Sequence, residues 1–229
     1  AITKGFSIGA AGLTVISLLG AFMSEVNSAL SAAGMELITG FDIMDPTVFF
    51  GCLIGAAIPA VFSAMLILGV DKNAQRMVAE IHRQFNTIKG LREGTAKPEY
   101  DRCIDIATTG SLRELIPAGL MTIIATVVVG FIGGPKAIGG FLLGNIVTGL
   151  LISLFMSNAG GLWDNAKKYV ESGNEGGKGS EAHKAAVIGD TVGDPFKDTA
   201  GPSINTQITV VSLVASLLSS LFVAFSLFR

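Results

Sequence analysis

The chain has 229 residues, half of them hydrophobic and only 15% charged, with a formal net charge of −2. A soluble domain carries about 25% charged residues, so this composition speaks against one, and a charge so near neutral offers no electrostatic case for nucleic acid. The two cysteines, Cys52 and Cys103, lie far apart and read as free buried thiols, not as a disulfide or a metal site.

A helix of about 20 apolar residues crosses a bilayer, and five stretches qualify. The first runs roughly from Lys4 to Ala33 and is rich in Gly and Ala. The second runs from about Thr47 to Val70, directly after Asp45-Pro46, a helix-start signal. The third covers about Leu115 to Ile132 and the fourth about Ala137 to Asn158, separated by a Gly133-Gly134-Pro135-Lys136 turn. The fifth has its membrane part at about Ile208 to Phe228, with no charge in it. Small residues at Gly9–Gly12 and Gly55–Ala57 permit close helix packing in lipid. The predicted fold is all-α: a polytopic transmembrane helix bundle, one membrane domain over residues 1–229, in contact with the lipid bilayer. The opening Ala1-Ile2-Thr3, without methionine or signal-peptide pattern, reads as the rear part of a longer chain.

The connections alternate in charge. Residues 34–46 hold no Lys or Arg, whereas 71–114 hold eight and 164–197 hold five lysines. The positive-inside rule places 71–114 and 164–197 in the cytoplasm, with Lys4 inside and Arg229 outside. Met77, Ile81, Phe85 and Ile88 recur at three or four, so the second helix is expected to continue past the membrane until Gly90 or Gly94. Residues 99–113 lead the chain back, and 172–180 read as a flexible loop. The basic run in 71–114 is nearly matched by acids and reads as a solvated, topology-setting face. His82 and His183 read as solvated, or capping in the case of His183.

The chemistry concentrates in Gly189 to Asn205. On a helix, Asp190, Asp194, Lys197 and Asp198 stand at i, i+4, i+7 and i+8, on one face. Three carboxylates within about two turns repel one another strongly, and one lysine does not neutralise them. A bound hard cation is the natural partner, and Mg²⁺ suits oxygen ligands and bridges to phosphate, with the interleaved lysines meeting phosphate oxygens as point charges. A second cluster, Trp163-Asp164-Asn165-Ala166-Lys167-Lys168, falls on the same side by topology. Asp164 with Lys168 at i, i+4 reads equally as a surface ion pair, and Asp190 equally as an orienting group. Lys197-Asp198-Thr199 has the wrong order and context for an aspartyl-phosphate nucleophile.

The run His183 to Asn205, with Gly-Asp-Thr-Val-Gly-Asp-Pro-Phe-Lys-Asp-Thr-Ala-Gly-Pro-Ser-Ile-Asn at its heart, resembles the last-helix signature of the membrane-integral, ion-pumping pyrophosphatases. Gly160-Gly-Leu-Trp-Asp-Asn-Ala-Lys-Lys-Tyr169 and Lys4-Gly-Phe-Ser-Ile-Gly-Ala10 resemble the same family. The resemblance implies the five C-terminal helices of a sixteen-helix subunit, partnered by its N-terminal portion and forming a homodimer. It implies Mg²⁺-dependent hydrolysis of pyrophosphate on the cytoplasmic side, by direct attack of water, coupled to outward pumping of an ion. Asp164 and Asp194 match metal-holding carboxylates, Lys167 and Lys197 match phosphate-contacting lysines, and Asp198 matches a water-positioning carboxylate that also serves the metal. Asn205 matches a position near the ion gate. The family commonly carries a lysine where this chain has Thr209. With Asn205 and Thr209 in place of a cation, the expected ion is the proton. The competing reading is a secondary transporter or channel half with an intramembrane acidic relay, but such a relay has no use for Lys167 and Lys197 beside the acids.

Overall fold

The computed structural model describes residues 2–228; Arg229 and the side chain of Lys4, both used above for topology, lie outside the described residues. Regular structure among the described residues is helical: α1 (Ile2–Ala32), α2 (Pro46–Thr87), α3 (Tyr100–Glu171), α4 (Glu181–Asp194), α5 (Gly201–Leu217) and α6 (Ser219–Phe225). A π-helical turn, Pro195–Ala200, joins α4 to α5. Among these, three helices are long and apolar enough to cross a membrane, or four if the last stretch, bent by 54° before Ser219, counts as one span.

The predicted third and fourth spans share one helix, α3, of 72 residues. Gly134 breaks it, at φ 68° and ψ −166°, a conformation that favours glycine. Residues 100–133 run antiparallel to α2, with Glu99 beside Gln84 and Glu114 beside Gly69. Residues 135–171 run parallel to it, with Gly140 against Val48 and Gly149 against Pro59. The two arms of α3 therefore fold back on each other as a hairpin. Pro135 has no N–H, so the Phe131 carbonyl loses its helical donor. The backbone N–H groups of Leu227 and Phe228 instead donate to Phe131 and Ile132 at 2.9 and 3.0 Å. This corrects the expected end of the last helix: helical structure stops at Phe225, and the chain beyond it caps the α3 hairpin.

The start of α2 follows the sequence signal. The Asp45 carboxylate accepts from Thr47 N–H at 2.9 Å, and Pro46 occupies the first turn, where no intrahelical donor is needed. The helix continues to Thr87, just short of Gly90. There Glu80, buried, accepts from Arg83, Gln84 and Arg102. The hydrogen bond from Arg83 is the largest cause holding its pKa down to about 2, so this carboxylate is ionised and locks the extension of α2 to the first arm of α3. On α1, Asn27 exchanges two 2.8 Å hydrogen bonds with the backbone of Ile38, and Phe22 stacks on Phe41, which folds the connector back onto its helix. Cys52 and Cys103 are free thiols, half-buried.

Phe22, Ile138, Phe141, Ile204, Ile208 and Phe222 form the fully buried centre, while Leu13, Phe50, Leu68, Leu151 and Phe155 stay exposed. Large apolar side chains spread along helix flanks suit a lipid or helix-packing surface. The tightest seam joins α2 to the second arm of α3. A Cβ added at Gly55 would sit 2.0 Å from the Phe141 carbonyl oxygen, and one at Gly144 would sit 2.1 Å from that of Cys52. Backbone meets backbone there, so no rotamer change relieves the clash. Gly144→Leu is expected to cost about 3 kcal/mol or more, above the usual range for an overpacked core. Its unfolding midpoint in detergent, compared with that of Gly40→Leu, where a Cβ meets nothing within 4 Å, checks this; equal midpoints would refute the interlocked seam.

Candidate active site

Two helix ends build the charged site. The second arm of α3 supplies Trp163, Asp164, Lys167 and Lys168; α4 supplies Asp190 and Asp194; the π-helical turn supplies Lys197 and Asp198. Their approach depends on glycine: a Cβ at Gly160 would lie 2.5 Å from the Gly193 carbonyl oxygen and 2.7 Å from Lys197 Cβ. Trp163 and Phe196 meet edge to face, ring centroids 6.0 Å apart, and wall one side.

Lys197 is the hub. Its Nζ, on a side chain 14% exposed, lies 2.7 Å from Asp194, 3.1 Å from Asp164, 3.3 Å from Asp190 and 3.9 Å from Asp198. Lys167 donates to Asp190 and lies 3.8 Å from Asp164, and Lys168 donates to Asp164 at 3.1 Å. The lysine bonds, from Lys168 first and then Lys197, hold the Asp164 carboxyl below its ordinary range. Lys167 first, and Lys197 after it, do the same for Asp190 against the opposition of burial. Burial works against the charge on Lys197, but its bonds to Asp194, Asp164 and Asp190 outweigh it and its pKa is raised. Both depressed carboxylates are anions throughout the neutral range. Their contribution to stability is present above about pH 4 and is lost as pH falls through their lowered pKa values.

The π-helical turn is the feature that sequence reasoning missed. A regular α-helix would stack Asp190, Asp194, Lys197 and Asp198 at i, i+4, i+7 and i+8. The wider turn begins at Pro195, which cannot donate to its preceding turn, and it shifts the register of Lys197 and Asp198 against α4. Pro195 inside the acidic run is the signal that could have found it. Lys197 is thereby set back into the carboxylates, while Asp198 is left half-exposed, at 51%. Asp190, which reads equally as a ligand and as an orienting group in the sequence, is the most buried of the four carboxylates and binds two lysines. Asn205 does not join the cluster. It lies eight residues beyond Lys197, roughly 12 Å at the α-helical rise, and its side-chain oxygen is buried without a hydrogen-bond partner. His183 sits at the start of α4, accepting from Gly179 N–H at 3.1 Å and facing Glu171 at 3.2 Å, in keeping with a capping position.

Four carboxylates face three ammonium groups, a formal excess of one negative charge among these seven side chains. The donors are hard oxygens of the kind magnesium takes. Their arrangement closes on Lys197 Nζ, and among the described residues no three His, Cys, Asp or Glu side chains are grouped to hold a metal ion. In kind the residues fit a divalent cation; in number they do not close a site.

The family model for inorganic H⁺ pyrophosphatase matches residues 1–218. A K⁺-insensitive pyrophosphate-energized proton pump of Chloroflexus aurantiacus is 48% identical over 97% of this chain and 29% of its own length. A relative of the same description from Methanosarcina mazei is 46% identical over 97% of this chain and 32% of its own length. A putative K⁺-stimulated pyrophosphate-energized sodium pump of Bacteroides thetaiotaomicron is 42% identical over 98% of this chain and 34% of its own length. The chain thus spans about a third of the length of the curated relatives it matches. On a match that runs through both helix ends of the charged site, the chain belongs to the inorganic H⁺ pyrophosphatase family.

Proposed function

We propose that this chain forms the C-terminal part of a pump that hydrolyses pyrophosphate with Mg²⁺ and moves protons outward. The single observation that carries the reading is the set of lysines held among carboxylates where two helix ends meet, with Lys197 at its centre. Five membrane passes follow if each arm of α3 counts as one and α4–α6 as another, and they put the lysine-rich loops and the site together on the cytoplasmic side. Named relatives pump protons or sodium; the proton is chosen because neither Asn205 nor Thr209 supplies the charge that the family commonly has there.

In this reading Lys167 and Lys197 exchange their carboxylate partners for pyrophosphate oxygens, as point-charge donors. Asp164, Asp194 and Asp198 contribute part of an oxygen ligand set, completed by the substrate and by the N-terminal portion of the subunit. Mg²⁺, when bound, would supply charge neutralisation on the phosphate oxygens. Asp198 faces the open side, orients a water and accepts its proton as the water oxygen bonds to phosphorus. The P–O–P bridge then breaks, releasing two phosphates. The lysines disfavour the relay alternative, since a proton relay gains nothing from ammonium groups beside its acids.

The test uses the complete protein in sealed vesicles. Adding Mg²⁺ and pyrophosphate is expected to release phosphate and acidify the lumen, without sodium, in a manner that a protonophore collapses. Absence of phosphate release would overturn the enzyme reading. Sodium-dependent uptake that resists the protonophore would overturn the proton.

A further inference from the structure

Between the second arm of α3 and α5 lies a buried polar pair that the charged site does not use. Gln207 Nε2 donates to Asn145 Oδ1 at 3.1 Å, and both side chains are enclosed, at 3% and 0% exposed. Two of their atoms have no partner: the Asn145 amide nitrogen and the Gln207 amide oxygen. Gly160 marks the depth of Lys197 on the same arm, fifteen residues from Asn145 and so roughly 22 Å away at the helical rise. The pair therefore stands well inside the apolar span, where no bulk solvent satisfies it and buried polar groups need partners.

The open atoms define what fits. They are one donor group and one acceptor, and exchanging nitrogen and oxygen in both amides leaves the same set. A bare sodium ion needs oxygen ligands alone and is repelled by an N–H₂ group. A water molecule uses both, accepting from Asn145 and donating to Gln207. A cavity of about 390 Å³ adjoins Gln207, which lines it together with Thr206, Ser203 and Thr122 and an apolar set that includes Phe62 and Val210. Ser203 also lines a second cavity, of about 460 Å³, with Asn73, Glu114 and Thr199, the last of which follows Asp198 in the chain. The facing side of α3 carries more polar groups at one-turn spacing. Ser153 Oγ donates to the Gly201 carbonyl at 2.6 Å, and Ser157 Oγ is buried without a partner.

We propose that the Asn145–Gln207 pair is a water-binding site within the membrane-spanning seam, and that its water is a step on the route of the pumped proton. The route rests on the proton-pump reading given above; the hydration of the pair does not. Two measurements on the complete protein separate them. In a background with Cys52 and Cys103 replaced by alanine, Gln207→Cys is compared with Val211→Cys, one turn further on the same helix and equally enclosed. A small water-borne methanethiosulfonate reagent is expected to label the thiol introduced at 207 at least tenfold faster. Equal inertness would overturn the water site. In vesicles, Gln207→Leu and Asn145→Leu are each expected to lower the protons moved per pyrophosphate hydrolysed at least threefold. The exchanged pair Asn145→Gln with Gln207→Asn, which keeps both amides, is expected to restore that ratio. Fast labelling with an unchanged ratio would overturn the route. A wild-type protein that releases no phosphate would sink the pump reading and the route with it, while the labelling result would still decide the water site.

Discussion

Replacing Lys197 by alanine in the complete protein is expected to weaken binding of a non-hydrolysable pyrophosphate analogue by about ten- to hundredfold. This is the range that one or two lost charge-assisted hydrogen bonds provide. The physical case begins with the free site. Lys197 Nζ lies within 3.3 Å of Asp164, Asp190 and Asp194, on a side chain only 14% exposed. Without it, Lys167 and Lys168 alone face four carboxylates, and the added negative charge repels an incoming polyanion. Asp190 and Asp164 each lose a hydrogen bond that lowers their pKa, so both are expected to titrate at higher pH in the variant. Lys197→Arg keeps the charge but not the compact ammonium, and a planar guanidinium does not reach three separate carboxylates in this geometry. It is expected to recover stability more than affinity. Calorimetric titration with the analogue, beside the unfolding midpoint, separates the two effects. Unchanged analogue affinity in Lys197→Ala would remove this lysine from the substrate site.

Much of the frame was legible because the signals are local. Asp45-Pro46 caps α2 as the pattern requires, Gly133-Gly134-Pro135 breaks α3, and the helical spacing of Met77, Ile81 and Phe85 continues α2 beyond the apolar run, up to Thr87. The lysines and acids of the candidate site were legible as residue types on two separate segments, and the structure brings Asp164, Lys167, Asp194, Lys197 and Asp198 together. Less legible was how they share partners. That depends on the π-helical turn after Asp194, which departs from the α-helical period on which face assignments rest. Asp190 gained weight only when the two helix ends were placed side by side. Asn145 and Gln207 are isolated amides in apolar runs, 62 residues apart, and no periodicity pairs them. Likewise, the capping of the α3 hairpin by Leu227 and Phe228 is a contact between backbones, to which side-chain pattern is blind.

Asp198→Asn is expected to lower the rate of pyrophosphate hydrolysis by about a hundred- to ten-thousandfold, the usual loss when a group that positions or deprotonates the attacking water is removed. Analogue affinity should stay within about threefold of wild type, a change of less than one kcal/mol. The contrast with Lys197 follows from position. Asp198 is the carboxylate farthest from Lys197 Nζ, at 3.9 Å, and it is half-exposed, whereas Asp190 is sunk among the lysines. A carboxylate at the open rim reaches a water beside the substrate without gripping the phosphates. Asparagine keeps the shape and one acceptor oxygen but cannot accept a proton at neutral pH. Rate and affinity therefore part company at Asp198 and move together at Lys197. Asp198→Glu tests the same point from the other side: it keeps the base but advances it by one methylene, and is expected to retain more activity than the amide. Single-turnover phosphate release measures the rate and calorimetric titration the affinity. Near-normal turnover in Asp198→Asn would remove this residue from the attack on water, and a parallel collapse of affinity would leave it a share in the metal ligand set and no separate role toward water.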